Sequence, residues 1–227
     1  MIKIFLVNVI VFGLFSVSLF AKIIASTSFE NETATATYTD KGDAAENHDL
    51  VNNAGESLVD STKESTSAGD LGFNAVFINT GENGGLTEGD DVGVTNLPSQ
   101  VGAFSQGVQG YQFEDTDGVV VLNFDEIDIT KHESVSLSLD IFIVATTWEP
   151  SDWLHIYVLT DAGKQSILNT KDKDIDDITI DGKTIEGIWS TLKTKIVGDK
   201  ASLVVEFESN SNNETMYIDN VVFETAK

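Results

Sequence analysis

The sequence predicts an all-β protein built as an antiparallel β-sandwich. Apolar and polar residues alternate with a period of two along most of the chain, and only 2 of the 227 residues are proline. Such alternation over about 4 to 8 residues is typical of strands that bury one face. Turns rich in Gly, Asn, Asp and Ser separate the alternating segments, a pattern that favours a sandwich of many short strands.

The clearest predicted strand runs from Ser134 to Val144. Its odd-numbered positions are apolar, and its even-numbered positions begin with three serines and Asp140, so that one face is expected in a core. The same pattern predicts strands at 71–77, 119–124, 154–159, 193–197, 203–207 and 216–223. Turn residues are concentrated at 81–85, 114–118, 161–164, 181–182 and 209–214.

Residues 40–70 do not follow this pattern, because the segment is acidic and polar with hardly any apolar alternation. A connection of that length in a compact domain is a binding loop or is disordered. We therefore predict one β-sandwich domain over residues 26–227, with a long acidic loop at about 40–70.

The N-terminus predicts export. Residues 1–21 contain Lys3, a long apolar run and a small residue at the end, which is the layout of a signal peptide. Cleavage after Ala21, or as late as Ala25, leaves a secreted, extracellular chain without a membrane segment. The alternative is an uncleaved anchor, since about 17 to 20 apolar residues can span a bilayer. We favour cleavage because polar residues such as Asn8 interrupt the run.

The charge restricts the expected partners. Lys and Arg number 13 against 37 Asp and Glu, the net charge is −24, and every one of the 13 cations is lysine. This field repels nucleic acids and anionic lipids, and the lack of arginine removes the usual bidentate phosphate ligand. Calcium, mineral surfaces and neutral sugars remain. The chain has no cysteine, so disulfides do not stabilise it.

The two ends of the predicted domain are similar to a known family. Ser26–Glu30 reads Ser-Thr-Ser-Phe-Glu, and Met216–Phe223 reads Met-Tyr-Ile-Asp-Asn-Val-Val-Phe. On these segments the chain resembles the galactose-binding-like family of jelly rolls, which includes many carbohydrate-binding modules. The resemblance implies a jelly roll whose first and last strands are neighbours and share a structural calcium ion. Glu30 and Asp219 are the positions that carry over as ligands. The alternative is that Asp219 bonds a turn and Glu30 is solvated.

A second resemblance covers roughly Ser26 to Phe223. Residues 38–55, 85–95 and 174–177 look like an accessory domain of large exported bacterial hydrolases and nucleases. This resemblance implies an extracellular, non-catalytic module, and it transfers no catalytic residue.

Other acidic loops are candidate cation sites, namely those with Asp174, Asp176 and Asp90. Asp172 to Lys183 does not fit an EF-hand, because Asp177 stands at the glycine position and Lys183 at the final glutamate position. Solvated loop carboxylates are the alternative for each candidate.

Catalytic patterns are weak. Glu126-Ile-Asp-Ile-Thr130 resembles the Glu-x-Asp-x-Glu strand of family-16 glucanases, but threonine replaces the acid that a retaining hydrolase needs. We therefore expect no enzymatic activity. Candidate sugar-binding residues are Trp148, Trp153 and Tyr157, because sugar faces stack on aromatic rings. Packing in the core is the alternative for each ring.

Two sequons, at Asn31 and Asn213, predict glycosylation if the protein passes through a eukaryotic secretory pathway. Together these features predict a secreted, calcium-stabilised, non-catalytic module that binds a carbohydrate or a matrix glycan. The alternative is an acidic structural matrix protein that binds calcium diffusely, as at a mineral surface.

Overall fold

The computed structural model describes residues 21–30, 32, 37–38, 46–51, 62–81, 84–87, 90–98, 101–180 and 182–225. These residues form two seven-stranded antiparallel sheets around a shared core, together with one two-stranded hairpin. This arrangement confirms the predicted all-β antiparallel sandwich of the jelly-roll type. Within the described ranges the helical structure is a single 3-10 turn at Ile175–Asp177, and no helix there could cross a membrane.

The strands in chain order are β1 (Ile23–Thr27), β2 (Thr37–Tyr38), β3 (His48–Asp49), β4 (Phe73–Ile78), β5 (Asp90–Thr95), β6 (Gly110–Glu114), β7 (Val119–Phe124), β8 (Ile127–Asp128), β9 (Val135–Ile143), β10 (Trp153–Thr160), β11 (Gly163–Asn169), β12 (Thr179–Ile180), β13 (Lys183–Thr184), β14 (Trp189–Ile196), β15 (Lys200–Glu208) and β16 (Thr215–Thr225). The first sheet has the order β14-β9-β16-β6-β5-β2, and β1 also pairs with β16. The second sheet has the order β11-β10-β15-β7-β4-β3, and β8 also pairs with β15.

The last strand organises the first sheet. The first half of β16 pairs with β6 and its second half pairs with β1. A register shift between Asp219 and Val222 separates the two halves, and Asn220 has a positive φ of 51° there. A bulge of this kind changes the direction of a strand, and it lies where β16 passes from one neighbour to the other.

Aromatic rings from both sheets fill the core. Phe29 is fully buried just after β1, and its ring centroid lies 5.2 Å from that of Phe73 and 5.7 Å from that of Tyr111. Phe113 of the first sheet packs against Phe207 of the second at 5.5 Å. Edge and tilted contacts of this kind each contribute about 0.5–1.5 kcal/mol beyond the burial of area. The rings therefore hold the two sheets together.

Part of the predicted acidic loop is paired with the second sheet. Strand β3 lies within residues 40–70 and pairs with β4. Further along, Lys63 Nζ lies 3.0 Å from Asp70 Oδ1, and Lys63 bridges to Phe73. The described parts of this segment therefore continue the edge of the sandwich.

Candidate functional site

Glu30 and Asp219, the calcium ligands predicted at the two ends of the domain, both accept hydrogen bonds from the loop at residues 105–109. Glu30 follows β1, and its Oε1 accepts hydrogen bonds from the backbone N–H groups of Val108 (2.7 Å) and Gln109 (2.9 Å). Asp219 on β16 accepts a hydrogen bond from the Gln106 N–H through Oδ2 at 2.6 Å. The fold thus brings both carboxylates to the 105–109 loop, where backbone donors occupy them. A calcium ion shared by this pair stays a prediction.

A third carboxylate lies beside them. Asp140 on β9 accepts hydrogen bonds from the Ser105 hydroxyl, from Thr191 Oγ1 (2.5 Å) and from Asn220 Nδ2 (3.0 Å). Burial raises the pKa of Asp219 to about 7, and the charges of Asp140 and Glu30 add to the effect, although two backbone N–H groups oppose it. Burial of Asp219 is therefore the main cause of its raised pKa, and the neighbouring carboxylates contribute less.

A separate acidic cluster occupies one end of the sandwich. Glu149 and Asp152 lie in the β9–β10 connection, and Glu214 lies in the β15–β16 connection. One carboxylate oxygen from each lies within 4.8 Å of the others, so the group could hold a metal ion. Within the described ranges it is the one such set of three His, Cys, Asp or Glu residues. We call Glu149, Asp152 and Glu214 the acidic triad.

Local hydrogen bonds build the triad. The Glu149 N–H donates to Asp152 Oδ2 at 2.7 Å, and the Asp152 N–H donates to the Glu149 carbonyl at 3.0 Å, which closes a tight turn around Pro150. Asp152 and Glu214 are each only 1% exposed. Burial, with neighbouring carboxylates, raises the pKa of both residues above the usual range. Glu149 is exposed, so the cluster places two buried carboxyl groups beside a solvated one, and ionisation of all three is unfavourable without a cation.

The triad was not predicted from the sequence. The short spacing of Glu149 and Asp152 around a proline was a local signal, but nothing in the sequence connects that turn to Glu214. Among the predicted cation ligands, Asp174 and Asp176 are exposed, and Asp174 Oδ1 caps the 3-10 turn through the Asp176 N–H at 3.0 Å. Asp90 is buried at the start of β5, opposite Tyr38.

The outer face of the second sheet carries two of the predicted aromatic residues. Trp153 and Tyr157 alternate on β10 with the core residues Leu154 and Ile156, so their rings lie on the outer side. Trp153 Nε1 donates to Glu208 Oε2 at 2.5 Å, and the Tyr157 hydroxyl donates to Glu206 Oε1 at 2.7 Å.

His155 lies between the two rings, with Nδ1 3.6 Å from Glu206 Oε2. We call Trp153, His155, Tyr157, Glu206 and Glu208 the aromatic–carboxylate face.

Two lysines cover the rings of this face. Lys171 Nζ lies 4.2 Å from the centroid of Trp153, and Lys164 Nζ lies 3.5 Å from that of Tyr157. Trp153 and Tyr157 are consequently only 8% and 6% exposed. Burial and hydrogen bonding to Glu206 raise the pKa of Tyr157 well above its usual value, so that its hydroxyl stays a donor.

Trp148 has a different environment. It is 2% exposed, its ring packs edge-on against Phe207, and its Nε1 donates to the Val144 carbonyl at 3.1 Å. The structure therefore places Trp148 in the core, the alternative that the sequence left open, and separates it from the other two aromatic residues.

The remaining sequence candidates lie apart from these clusters. Asn31 is outside the described residues. Asn213 is exposed, while Thr215 of the same sequon is fully buried and donates to Glu114 Oε2 at 2.7 Å. In the glucanase-like segment, Glu126 pairs with Lys200 at 2.6 Å, and Asp128 Oδ1 accepts from the Thr130 hydroxyl at 2.6 Å.

No family model and no curated protein matches the chain. Among solved structures, it is similar to the K1 cleaved adhesin domain of Lys-gingipain from Porphyromonas gingivalis W83 (12% identity, 68% of this chain and 91% of that one, TM-score 0.44). It is also similar to TmCBM61 in complex with β-1,4-galactotriose (13% identity, 58% and 80%, TM-score 0.40). A third is the xylan-binding module CBM15 (11% identity, 73% and 95%, TM-score 0.37). These are carbohydrate-binding modules and an adhesin domain, and at such values the similarity says nothing about what this chain binds.

Proposed function

We propose that the chain is an exported, non-catalytic module that binds a neutral carbohydrate and is stabilised by calcium. The aromatic–carboxylate face is the observation that carries the proposal. It combines the two kinds of group that sugars require, since aromatic rings stack on the apolar faces of pyranose rings and carboxylates accept hydrogen bonds from their hydroxyl groups.

The face is held in place before any ligand arrives. Each ring is fixed by a hydrogen bond to a carboxylate on the neighbouring strand β15, where Trp153 is opposite Glu208 and His155 is opposite Glu206. A preorganised surface loses less conformational entropy on binding than a mobile one. Lys164 and Lys171 are the movable parts, because both side chains are long and exposed. A sugar that displaces the two ammonium groups can stack on the faces of the Trp153 and Tyr157 rings.

The face continues across the sheet. Val204 of β15 is opposite Tyr157, Asn123 of β7 is opposite Val204, and Asn74 of β4 is opposite Asn123. The amide side chains of Asn123 and Asn74 in this row can donate hydrogen bonds to sugar hydroxyls and accept hydrogen bonds from them. An extended chain of several sugar units fits such a row better than a single sugar does.

The charge of the chain favours a neutral ligand. With a net charge of −24 and Glu206 and Glu208 on the face itself, sulfated or uronic-acid-rich glycans are repelled. Calcium is supported by the same excess of carboxylates, because a cation offsets their repulsion. Export rests on the leader-like first 21 residues.

The test is titration of the purified mature chain with neutral polysaccharides such as galactan, xylan and mannan, followed by calorimetry and tryptophan fluorescence. We expect saturable binding with a fluorescence change, weakened at least tenfold by Trp153→Ala. Trp189→Ala is the matched control, because Trp189 lies on the first sheet. The proposal is wrong if the chain ignores all neutral glycans but adsorbs to calcium carbonate with many weak calcium ions, which is the behaviour of a mineral-matrix protein.

A further inference from the structure

The structure assigns a calcium site to the acidic triad, at the end of the sandwich where the β9–β10 and β15–β16 connections meet. The inference rests on the calcium part of the proposed function and is independent of its glycan part. It differs from the calcium pair that the sequence predicted at Glu30 and Asp219.

The geometry of the triad fits one ion. Calcium binds oxygen at about 2.3–2.6 Å, so two ligands on opposite sides of the ion are up to about 5 Å apart. The three carboxylate oxygens of Glu149, Asp152 and Glu214 lie within 4.8 Å of one another. They therefore have the spacing of oxygens around a single cation.

A second observation points to a missing ligand. Glu214 is 1% exposed, and its Oε2 atom is buried with no hydrogen-bond donor facing it among the described residues. Buried carboxylate oxygens normally accept hydrogen bonds, and leaving one without a partner is costly. The carboxylates of Glu149 and Asp152 lie beside it in the triad, and when ionised they offer oxygen lone pairs and no proton. A cation satisfies all three at once.

The donor set selects a hard divalent ion. Three carboxylates with no histidine or cysteine favour calcium or magnesium over zinc or copper. Next to the triad, a cavity of about 10 Å³ is lined by Ser151, Asp152 and Ser209 among others. This volume is close to the space that one water occupies. Magnesium usually keeps several waters in a near-ideal octahedron, whereas calcium accepts irregular protein ligands. The site therefore suits calcium.

The ion ties two parts of the fold together. Asp152 immediately precedes β10, and Glu214 immediately precedes β16, so a bound ion links the second sheet to the central strand of the first. Trp148 and Trp153 flank the turn that carries Glu149 and Asp152, and they provide optical probes for the site.

The test uses terbium and calcium as probes of the mature chain. Terbium luminescence, excited through tryptophan, and calorimetry with calcium chloride and magnesium chloride should show one tight site that prefers calcium. Glu214→Gln and Asp152→Asn keep the side-chain shape and remove the charge, and each should weaken calcium binding at least tenfold and reduce the terbium signal. Asp199→Asn, at an exposed carboxylate in the β14–β15 connection, is the matched control and should leave both readouts unchanged.

Stability in chelator separates loss of the site from loss of the fold. Glu214→Gln should melt at the same temperature as the wild-type chain or higher, because it removes a buried carboxylate without a partner. If the wild-type chain binds no calcium, the site and the calcium part of the proposed function both fail. If calcium binds and the triad variants keep full affinity while Asp219→Asn loses it, the site fails and the ion lies at the terminal pair. A calcium-binding chain that ignores glycans refutes only the glycan part.

Discussion

Asp140 and Asp219 lie directly opposite each other in the register of β9 and β16, and both are buried. Like charges in this position destabilise a sheet. The fold compensates with three side-chain donors to Asp140, from Ser105, Thr191 and Asn220, and with a raised pKa at Asp219. The pair shows how this acidic chain accommodates its charge inside a sheet.

The raised pKa of Asp219 predicts a pH dependence of stability. The folded pKa is about 7 against a reference value of 3.8, so between about pH 4 and pH 7 the native state holds a proton that the unfolded chain has lost. The contribution of this residue to the unfolding free energy therefore decreases as the pH rises through that window, by up to about 1.4 kcal/mol per pH unit. The check is denaturant unfolding of metal-free wild-type chain and Asp219→Asn at pH 4.5 and 7.5. The two chains should differ in their pH dependence, and a carboxyl signal of residue 219 that titrates near pH 4 contradicts the prediction.

We predict that Gly107 is needed for the conformation of the 105–109 loop, which donates hydrogen bonds to Glu30 and Asp219. Its φ is +66°, and a Cβ there would lie 2.1 Å from Glu30 Oε1. Gly107→Ala should displace Glu30 from the Val108 and Gln109 N–H groups, which adds about 1–3 kcal/mol to a backbone strain of about 1–2 kcal/mol.

The matched control is Gly102→Ala, where φ is +73° and a Cβ meets nothing within 4 Å. Gly102→Ala should lower the unfolding free energy by the backbone strain alone. Urea denaturation measures both variants, and equal losses of stability would show that the contact with Glu30 is unimportant.

Removing the lysine cover should open the aromatic–carboxylate face. Lys171→Ala is expected to increase quenching of tryptophan fluorescence by acrylamide, because the ammonium group no longer lies over Trp153. Glycan affinity should stay the same or rise, since the ligand no longer has to displace the lysine. Lys183→Ala in the β12–β13 hairpin is the control. A tenfold loss of glycan affinity in Lys171→Ala would mean that the lysine is itself a ligand-binding group.

Phe29 is predicted to be among the most sensitive core positions. It is fully buried and contacts the rings of Phe73, Tyr111 and Phe124, so Phe29→Ala should cost about 3–5 kcal/mol of unfolding free energy. Val197→Ala, at a side chain that is 68% exposed, should stay within about 0.5 kcal/mol. Similar midpoints of denaturation for the two variants would place Phe29 outside the cooperative core.

The strands were predictable where one face is buried and the other is polar. The alternation from Ser134 to Val144 predicts a strand for this reason, and β9 occupies Val135–Ile143 with its odd-numbered residues in the core. The sequence pattern does not predict strand β11 (Gly163–Asn169), because this strand lies at a sheet edge, is exposed or half-buried throughout, and has a register shift against β10. Alternation carries no signal in such a strand.

The acidic triad could not be predicted, because its residues come from two connections that only the sheet topology brings together. For the same reason, sequence spacing did not separate Trp153 from Trp148. The alternation of β10 places Trp153 on the outer face, whereas Trp148 precedes the strand and folds over Phe207. Pairing between distant strands determines both where the acidic triad forms and where the two tryptophans lie. A local sequence pattern carries no information about that pairing.

The most direct measurement is the melting temperature of the purified chain from residue 22 onward, in chelator and at increasing calcium concentrations. An ion that binds only the folded sandwich stabilises it by about 2.7 kcal/mol at one hundred times its dissociation constant, which for a domain of this size raises the melting temperature by about 5–10 °C. We expect a saturable increase of that size, lost in Glu214→Gln. The same melting temperature in chelator and in saturating calcium would contradict the account.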